Sequence, residues 1–368
     1  MKARIIASLL LIAMQSVASG WQTAKPGYRF QFPLDHFCHP DFQTEWWYYT
    51  GNVQSADGHR FGFELTFFRQ ANQLPAAAGV SVSPTWRPDQ VYLAHLALSD
   101  IDGQQFLNVD RLNRAGPGLA GASEKQARYW NGNWQVRWAE LPAGTQELQA
   151  VTDRFDLRLQ LTPLKPAVIN GREGVSQKGP QPGEASHYIS FTRLQAAGQL
   201  HWKQKTYTLR GLAWMDHEFF TEPADESLEG WDWFAIQLSN GEELLLYRLR
   251  RKSGAKDPYS SGTYVDPRGQ AHFLEAGEFD LTPREAWESK ESGARYPVSW
   301  EISVPSLQLQ LLEQTDLKAQ ELTSHTNVTP HYWEGAVTYK GIIHSQPVTG
   351  VGYLELTGYA GRVKLGSR

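Results

Sequence analysis

Apolar and aromatic residues alternate with polar ones, or run together, over short stretches along the whole chain. They fall at residues 45–53, 60–68, 91–98, 134–138, 155–161, 244–250, 299–304 and 307–312. A period of two over such lengths predicts strands. Turn signals stand between them: Asp57-Gly58, Asp102-Gly103, Asn240-Gly241 and Pro267-Arg268-Gly269. Many short strands at this spacing predict an all-β fold, a sandwich or barrel. Only residues 283–289 and 317–322 read as short helices. The Gly-, Pro- and Lys-rich stretch 163–184 reads as a long loop over a barrel mouth, either a surface excursion or a functional lid.

The same order of patterns is written twice. An aromatic strand (46–53), an Asp-Gly turn and an apolar strand ending at Arg69 correspond to residues 231–238, an Asn-Gly turn and a strand ending at Arg250. HLALSDIDGQQF then stands against GTYVDPRGQAHF, and RYWNGNWQVRW against RYPVSWEISV. SHYISFTR and GLAWMDHEF stand against PHYWEGAV and GVGYLELTGY. A duplicated β-domain explains this order. It predicts two tandem antiparallel β-domains, residues 21–220 and 221–368, with the acidic, Pro-containing FTEPADESLEG as the linker between them.

Composition narrows the function classes. The 35 Lys+Arg against 39 Asp+Glu give a net charge of −4, which argues against an electrostatic nucleic-acid surface. With 14 Trp, 15 Tyr and 16 Phe the chain is built for burial, not disorder. One Cys excludes an internal disulfide framework and Cys-rich metal sites. Histidines are scattered without a ligand motif, no P-loop or nucleophile elbow occurs, and the expectation is no metal and no cofactor. Residues 1–20, MKARIIASLLLIAMQSVASG, read as a signal peptide, with Lys2 and Arg4 before a short apolar run. The mature protein is therefore expected to be exported, periplasmic or secreted, with no integral membrane segment after cleavage.

Two segments carry candidate chemistry. On a strand, Glu45, Trp47 and Tyr49 share one face and Trp46 and Tyr48 the other. A carboxyl among barrel aromatics is costly to ionise, so Glu45 is expected to hold its proton and act as an acid; the alternative is a Glu paired with Arg or His. In the second segment, Trp214, Asp216 and Glu218 point one way and Met215, His217 and Phe219 the other. Two neighbouring carboxyls push one another's proton affinity up, and a Trp beside them would shield a cationic intermediate. The alternative is a salt-bridge cluster of Asp216, His217 and Glu218 joining the domains. The candidate catalytic residues are Asp216, Glu45 and Glu218. Candidate ligand-binding residues are Trp46, Trp47, Tyr49, Tyr188, Trp214, His217, Trp231 and Trp233.

TEWWYYTGN, HRFGFELTFFR, AHLALSD, LAWMDHEF, GWDWFAIQLSNGEELLLYRLR, YWEGAV and GVGYLELTGY, in this order, resemble the carotenoid 1,2-hydratase family, and more closely its secreted AttH-type relatives. The resemblance spans about residues 30–359. It implies two tandem lipocalin-like barrels and cofactor-independent addition of water to an isoprenoid double bond. It also implies an Asp as the key acid, preceded two positions earlier by an aromatic, here Trp214 and Asp216. AttH-type genes often stand beside those of ABC-transporter permeases, which makes such a permease a candidate partner. Three functions follow as alternatives: an acid–base hydratase or lyase on an apolar ligand, a periplasmic carrier of a lipidic ligand, or a secreted hydrolase using two carboxylates.

Overall fold

The computed structural model describes residues 20–72, 90–116, 118–140, 142–221, 227–323 and 331–361. Most of the expected signal peptide (1–19) and the middle of the expected linker (222–226) lie outside them. The strands are β1 (Thr44–Ser55), β2 (Arg60–Ala71), β3 (Gln90–Asp100), β4 (Gln105–Arg114), β5 (Ala120–Ser123), β6 (Arg128–Asn131), β7 (Trp134–Trp138), β8 (Gln146–Val151) and β9 (Phe155–Pro163). There follow β10 (Val168–Ile169), β11 (Ser176–Gln177), β12 (Ala185–Trp202), β13 (Lys205–Phe220), β14 (Leu228–Leu238), β15 (Glu243–Arg251), β16 (Ser261–Val265) and β17 (Ala271–Glu275). The last are β18 (Asp280–Pro283), β19 (Ala286–Glu288), β20 (Arg295–Pro297), β21 (Ser299–Val304), β22 (Leu309–Gln314), β23 (Glu321–Leu322), β24 (Tyr332–Ile343) and β25 (Gln346–Leu356).

The first thirteen strands form one antiparallel sheet in the order β4-β3-β2-β1-β13-β12-β9-β8-β7-β6-β5, with β10 and β11 on β12. It curls into a nearly closed barrel. Where the backbone ladder stops, side chains bridge the gap: Asn131 donates to the Tyr92 carbonyl (3.1 Å) and accepts from Asn113 (2.6 Å). The second sheet, β17-β16-β15-β14-β25-β24-β22-β21-β18, makes a half-barrel with the same central order. In each, the opening strand (β1, β14) lies beside the closing strand (β13, β25), and that beside its hairpin partner (β12, β24).

The expected helices are absent, and no α-helix occurs among the described residues. Residues 286–288 pair with 295–297 as a two-stranded ribbon. Residues 317–320 run extended into β23, where the buried Gln320 amide donates to the Leu317 carbonyl (2.7 Å) and accepts from Ser99 (2.6 Å). Tertiary hydrogen bonds override a weak local preference there.

Three apolar cores explain why β1 reads as an unbroken aromatic run. Trp47, Tyr49, Phe61, Phe63 and Trp134 fill the first barrel, and Phe234, Ile236, Trp300 and Tyr339 the second unit. Tyr48, Tyr188, Trp214, Trp233, Tyr247 and Tyr353 form a third core between them. Strands buried on both faces need not alternate.

The stretch 163–184 is not a free excursion: Ala167 packs on the first barrel core and Lys178 reaches the seam between the units. The stretch straps the two units together. Lys165 donates to Glu243 (2.7 Å) and to the Asp266 carbonyl, Asn170 accepts from Thr263 (2.8 Å), and Ser176 bonds Tyr247 (3.0 Å). A bulge in β12 between Phe191 and Leu194 turns Arg193 outward onto Glu243, while the Thr192 carbonyl accepts from Gln237 (2.8 Å).

Candidate active site between the two units

A cavity of about 110 Å³ opens where the central strands of both sheets face each other. One water needs roughly 10–15 Å³, so there is room for an organic ligand. Trp46, Phe68, Phe220, Trp231, Trp233 and Tyr247 supply aromatic walls, and Asp216, Glu218, Glu334 and Glu355 supply the acids.

Asp216 sits centrally on β13, opposite Tyr48 of β1 and Ser190 of β12. Its Oδ2 accepts from the Tyr188 hydroxyl (2.6 Å), and its Oδ1 from Trp214 Nε1 (2.7 Å) and Ser190 Oγ. Three donors favour the ionised form, yet complete burial outweighs them and pushes the carboxyl up to about 7. Burial dominates, and the neighbouring Glu218 contributes less, contrary to the expected like-charge origin. Trp233 of the second unit donates to the Tyr188 oxygen (3.0 Å), so a relay from one unit orients the acid of the other. Glu218 takes Lys178 and Ser186 as partners, with Lys178 reaching in from the 163–184 strap.

The structure thus brings together Asp216, Glu218, Trp46, Tyr188, Trp231 and Trp233 at the cavity, with Trp214 bonded to Asp216 from behind. Glu45, Trp47, Tyr49 and His217 are elsewhere. They point from β1 and β13 into the first barrel, the opposite face from Trp46, Tyr48 and Asp216. Glu45 is fully buried, as expected, but its carboxyl is held well below the usual range. The Arg69 guanidinium (2.9 Å) and the His217 (2.8 Å) and His39 (2.8 Å) rings outweigh its desolvation. Its place is in an ion-paired network with Arg69, His39 and His217, away from the cavity. Tyr49 bonds Tyr129 and Gln146 inside the barrel core. His217 faces Glu45 and takes no part in an Asp216–Glu218 cluster.

The ligand atoms of His39, Glu45 and His217 lie within 4.8 Å of one another, a spacing that suits a metal ion. However, Arg69 already occupies Glu45 Oε2, and the His39 backbone N–H donates to the same carboxylate (3.0 Å). The set is electrically satisfied by the guanidinium and fits a metal poorly.

Glu355 is not among the candidates read from the sequence, nor is Glu334, whose run Tyr332-Trp333-Glu334 reads there as packing. The two glutamates stand directly opposite each other on β24 and β25. Trp231 Nε1 donates to Glu355 Oε2 (2.8 Å), and burial raises Glu355 to about 7. The signal was available in the duplication: GVGYLELTGY laid on GLAWMDHEF sets Glu355 against Asp216, and PHYWEGAV laid on SHYISFTR sets Glu334 against Ser190.

Fold and site together define a double lipocalin-like β protein with a buried acid in an aromatic cavity shared by its two units. The chain belongs to the AttH-like family, whose model matches residues 23–359. It is similar to the crystal structure of a candidate AttH protein from Nitrosomonas europaea (TM-score 0.82, 30% identity, 92% of this chain and 99% of that one). It shares its fold with kievitone hydratase from Nectria haematococca (TM-score 0.67, 14% identity, 87% of this chain and 90% of that one). No curated protein matches the chain by sequence. Among the described residues, no helix is long and apolar enough to cross a membrane.

Proposed function

We propose that this is an exported, cofactor-independent acid–base enzyme of the hydratase or lyase type, acting on a largely apolar ligand held between the two units. The observation that carries the reading is Asp216: a buried carboxyl, poised near neutrality, held by three donors and facing an aromatic cavity. A hydratase on the same fold, kievitone hydratase, is consistent with it. The protonated Asp216 gives its proton to one carbon of a double bond. The neighbouring carbon becomes cationic beside the π faces of the cavity aromatics. Water adds there through oxygen and yields its proton to a cavity carboxylate, Asp216 or Glu355, so that alkene and water become alcohol. The N-terminal pattern of residues 1–20 supports export.

The second reading is a carrier that passes a lipidic ligand to a transporter permease; the aromatic lining favours it equally. Native mass spectrometry of the purified protein, with solvent extraction of any bound molecule, separates the two. The extracted compound is then returned to wild type and to Asp216→Asn in H₂¹⁸O. Incorporation of ¹⁸O by wild type alone is the expected result. Recovery of the compound unchanged from both would overturn the enzyme reading in favour of the carrier.

A further inference from the structure

One end of the cavity holds a cluster of acids with no ion-pair partner among the described residues. Glu334 and Glu355 are cross-strand neighbours, and like charges placed so are mutually destabilising. Glu64, on β2 of the other unit, approaches the same place and is fully buried, with Thr66 donating to its Oε1. Among the described residues, none of these three carboxyls has a Lys, Arg or His ion-pair partner. Lys178, farther along the cavity, is engaged by Glu218.

The polar atoms here are also unsatisfied. Among the described residues, Glu334 Oε1, Glu64 Oε2 and the Tyr48 hydroxyl are buried without a well-aligned hydrogen-bond partner, although the Tyr48 and Tyr332 hydroxyls stand beside the Glu334 carboxyl. Buried carboxyls with acceptor capacity left over are expensive, and an apolar side chain at either position would be cheaper. Glu334 and Tyr48 line the cavity itself, with Phe68, Trp233 and Tyr332 around them. Acceptor oxygens facing aromatic walls describe a receptor for a positive charge.

We infer that this end of the cavity, walled by Tyr48, Tyr332 and Glu334 with Glu64 behind them, binds an ammonium group carried by an otherwise apolar ligand. An ammonium brings three donors and a full charge, whereas a hydroxyl brings one donor and none. The inference rests on the cavity being the ligand site. It adds the ligand's class: a cationic amphiphile, its apolar body against Trp46 and Trp231 and its reactive part near Asp216.

The groups facing Glu334 set the proton balance. Tyr48 and Tyr332 stay protonated, their acidity suppressed by burial. His95, bonded to Tyr332 (2.7 Å), is pulled down to about 4 and stays neutral. Glu64 is pushed up to about 8, Glu355 to about 7 and Glu334 well above its ordinary range, so near neutral pH Glu64 and Glu334 hold protons and Glu355 is part-ionised. Asp216 and Glu218 lie farther along the cavity, beside Lys178. Binding a cation therefore expels protons; binding a neutral ligand does not.

The test is titration calorimetry of the full chain with a matched pair of probes, 2-naphthylmethylamine and 2-naphthylmethanol, in two buffers of different ionisation heat. The amine is expected to bind at least about tenfold tighter than the alcohol and to release protons. Glu334→Gln should bring the amine down to the alcohol's affinity, with Glu64→Gln as the second variant should the first fail to fold. Arg284→Gln, exposed on the second unit and away from the cavity, should leave both affinities unchanged. An alcohol that binds as tightly as the amine, with no proton release, would overturn the cation site and leave the cavity reading standing. No binding of either probe would overturn both.

Discussion

Asp216 and Glu355 hold equivalent places in the two halves of the molecule and face one cavity. Asp216 lies between Tyr48 and Ser190 on the neighbouring strands, and Glu355 lies between Trp233 and Glu334. Both are pushed up to about 7, in each case chiefly by burial. Each acid takes a donor from an indole of its own unit, Trp214 or Trp231. The site is thus pseudo-symmetric: corresponding strand pairs of the two units, turned toward each other, enclose a space that neither makes alone.

The protonated form of Asp216 is the working form if it donates a proton. Activity should therefore be full below about pH 7 and fall as the pH rises through that value. Asp216→Asn should lower turnover by about 10²–10⁴-fold while ligand affinity changes little. A pH–rate profile of wild type, with turnover and binding measured separately on the variant, checks both. Equal losses of affinity and turnover would make Asp216 a binding group.

Stability should fall on the alkaline side. Asp216, Glu355 and Glu64 all have folded values raised above those of the unfolded chain. Their contribution is complete below the ordinary carboxylate range and is lost as pH climbs through about 7 to 8. His36, His95 and His217 are shifted down by burial, so above neutrality they are neutral in the folded and unfolded states alike and do not obscure the trend. Urea unfolding between pH 7 and 9 should show a declining midpoint. Glu64→Gln, which keeps an acceptor for Thr66, should flatten that decline and stabilise the protein at pH 9 by on the order of 2 kcal/mol.

Strand identity and turns were legible because they rest on local periodicity and Gly-containing turns. Residues 46–53 and 231–238 could be read as strands without knowing their neighbours. The faces of β1 were legible too, but not which face was the site. Trp46-Trp47-Tyr48-Tyr49 is aromatic on both sides, and only the packing of the second unit on Trp46 and Tyr48 decides. The state of Glu45 was hidden for a related reason. Its partners His39, Arg69 and His217 come from a loop and two further strands, so the guanidinium that holds the charge is invisible in the local pattern. Likewise, the role of the 163–184 strap depends on Glu243, Thr263 and Tyr247, all in the other unit.

The Glu45 network should matter for folding and not for the ligand. Glu45 and Arg69 are both fully buried, and Arg69 also donates to the His39 (2.8 Å) and Phe42 (2.7 Å) carbonyls. Arg69→Met strands a buried carboxylate and should cost about 3–5 kcal/mol in denaturant unfolding. Glu45 loses its contribution as pH falls below the ordinary carboxylate range, because its folded value is the lower one. The folded fraction of the variant should bind ligand normally, since neither residue lines the cavity. A selective loss of binding at unchanged stability would return Glu45 to the site.

The closeness of the two units is itself testable at Gly62. A Cβ there would stand 2.7 Å from the Ala336 Cβ and 3.0 Å from the Tyr353 hydroxyl, so β2 and β24 touch backbone to side chain only because residue 62 has none. Gly62→Val must push the units apart or distort one of them. Overpacking of this kind costs about 1–3 kcal/mol. The cavity lies along the same seam and is built from both sheets, so probe affinity should fall in Gly62→Val while each barrel core keeps its near-ultraviolet aromatic signal. A compensating Ala336→Gly replacement removes the nearest atom and should restore part of both stability and binding. If Gly62→Val bound the probes as wild type does, the ligand would be lodged within one unit, and the shared cavity would not be the site.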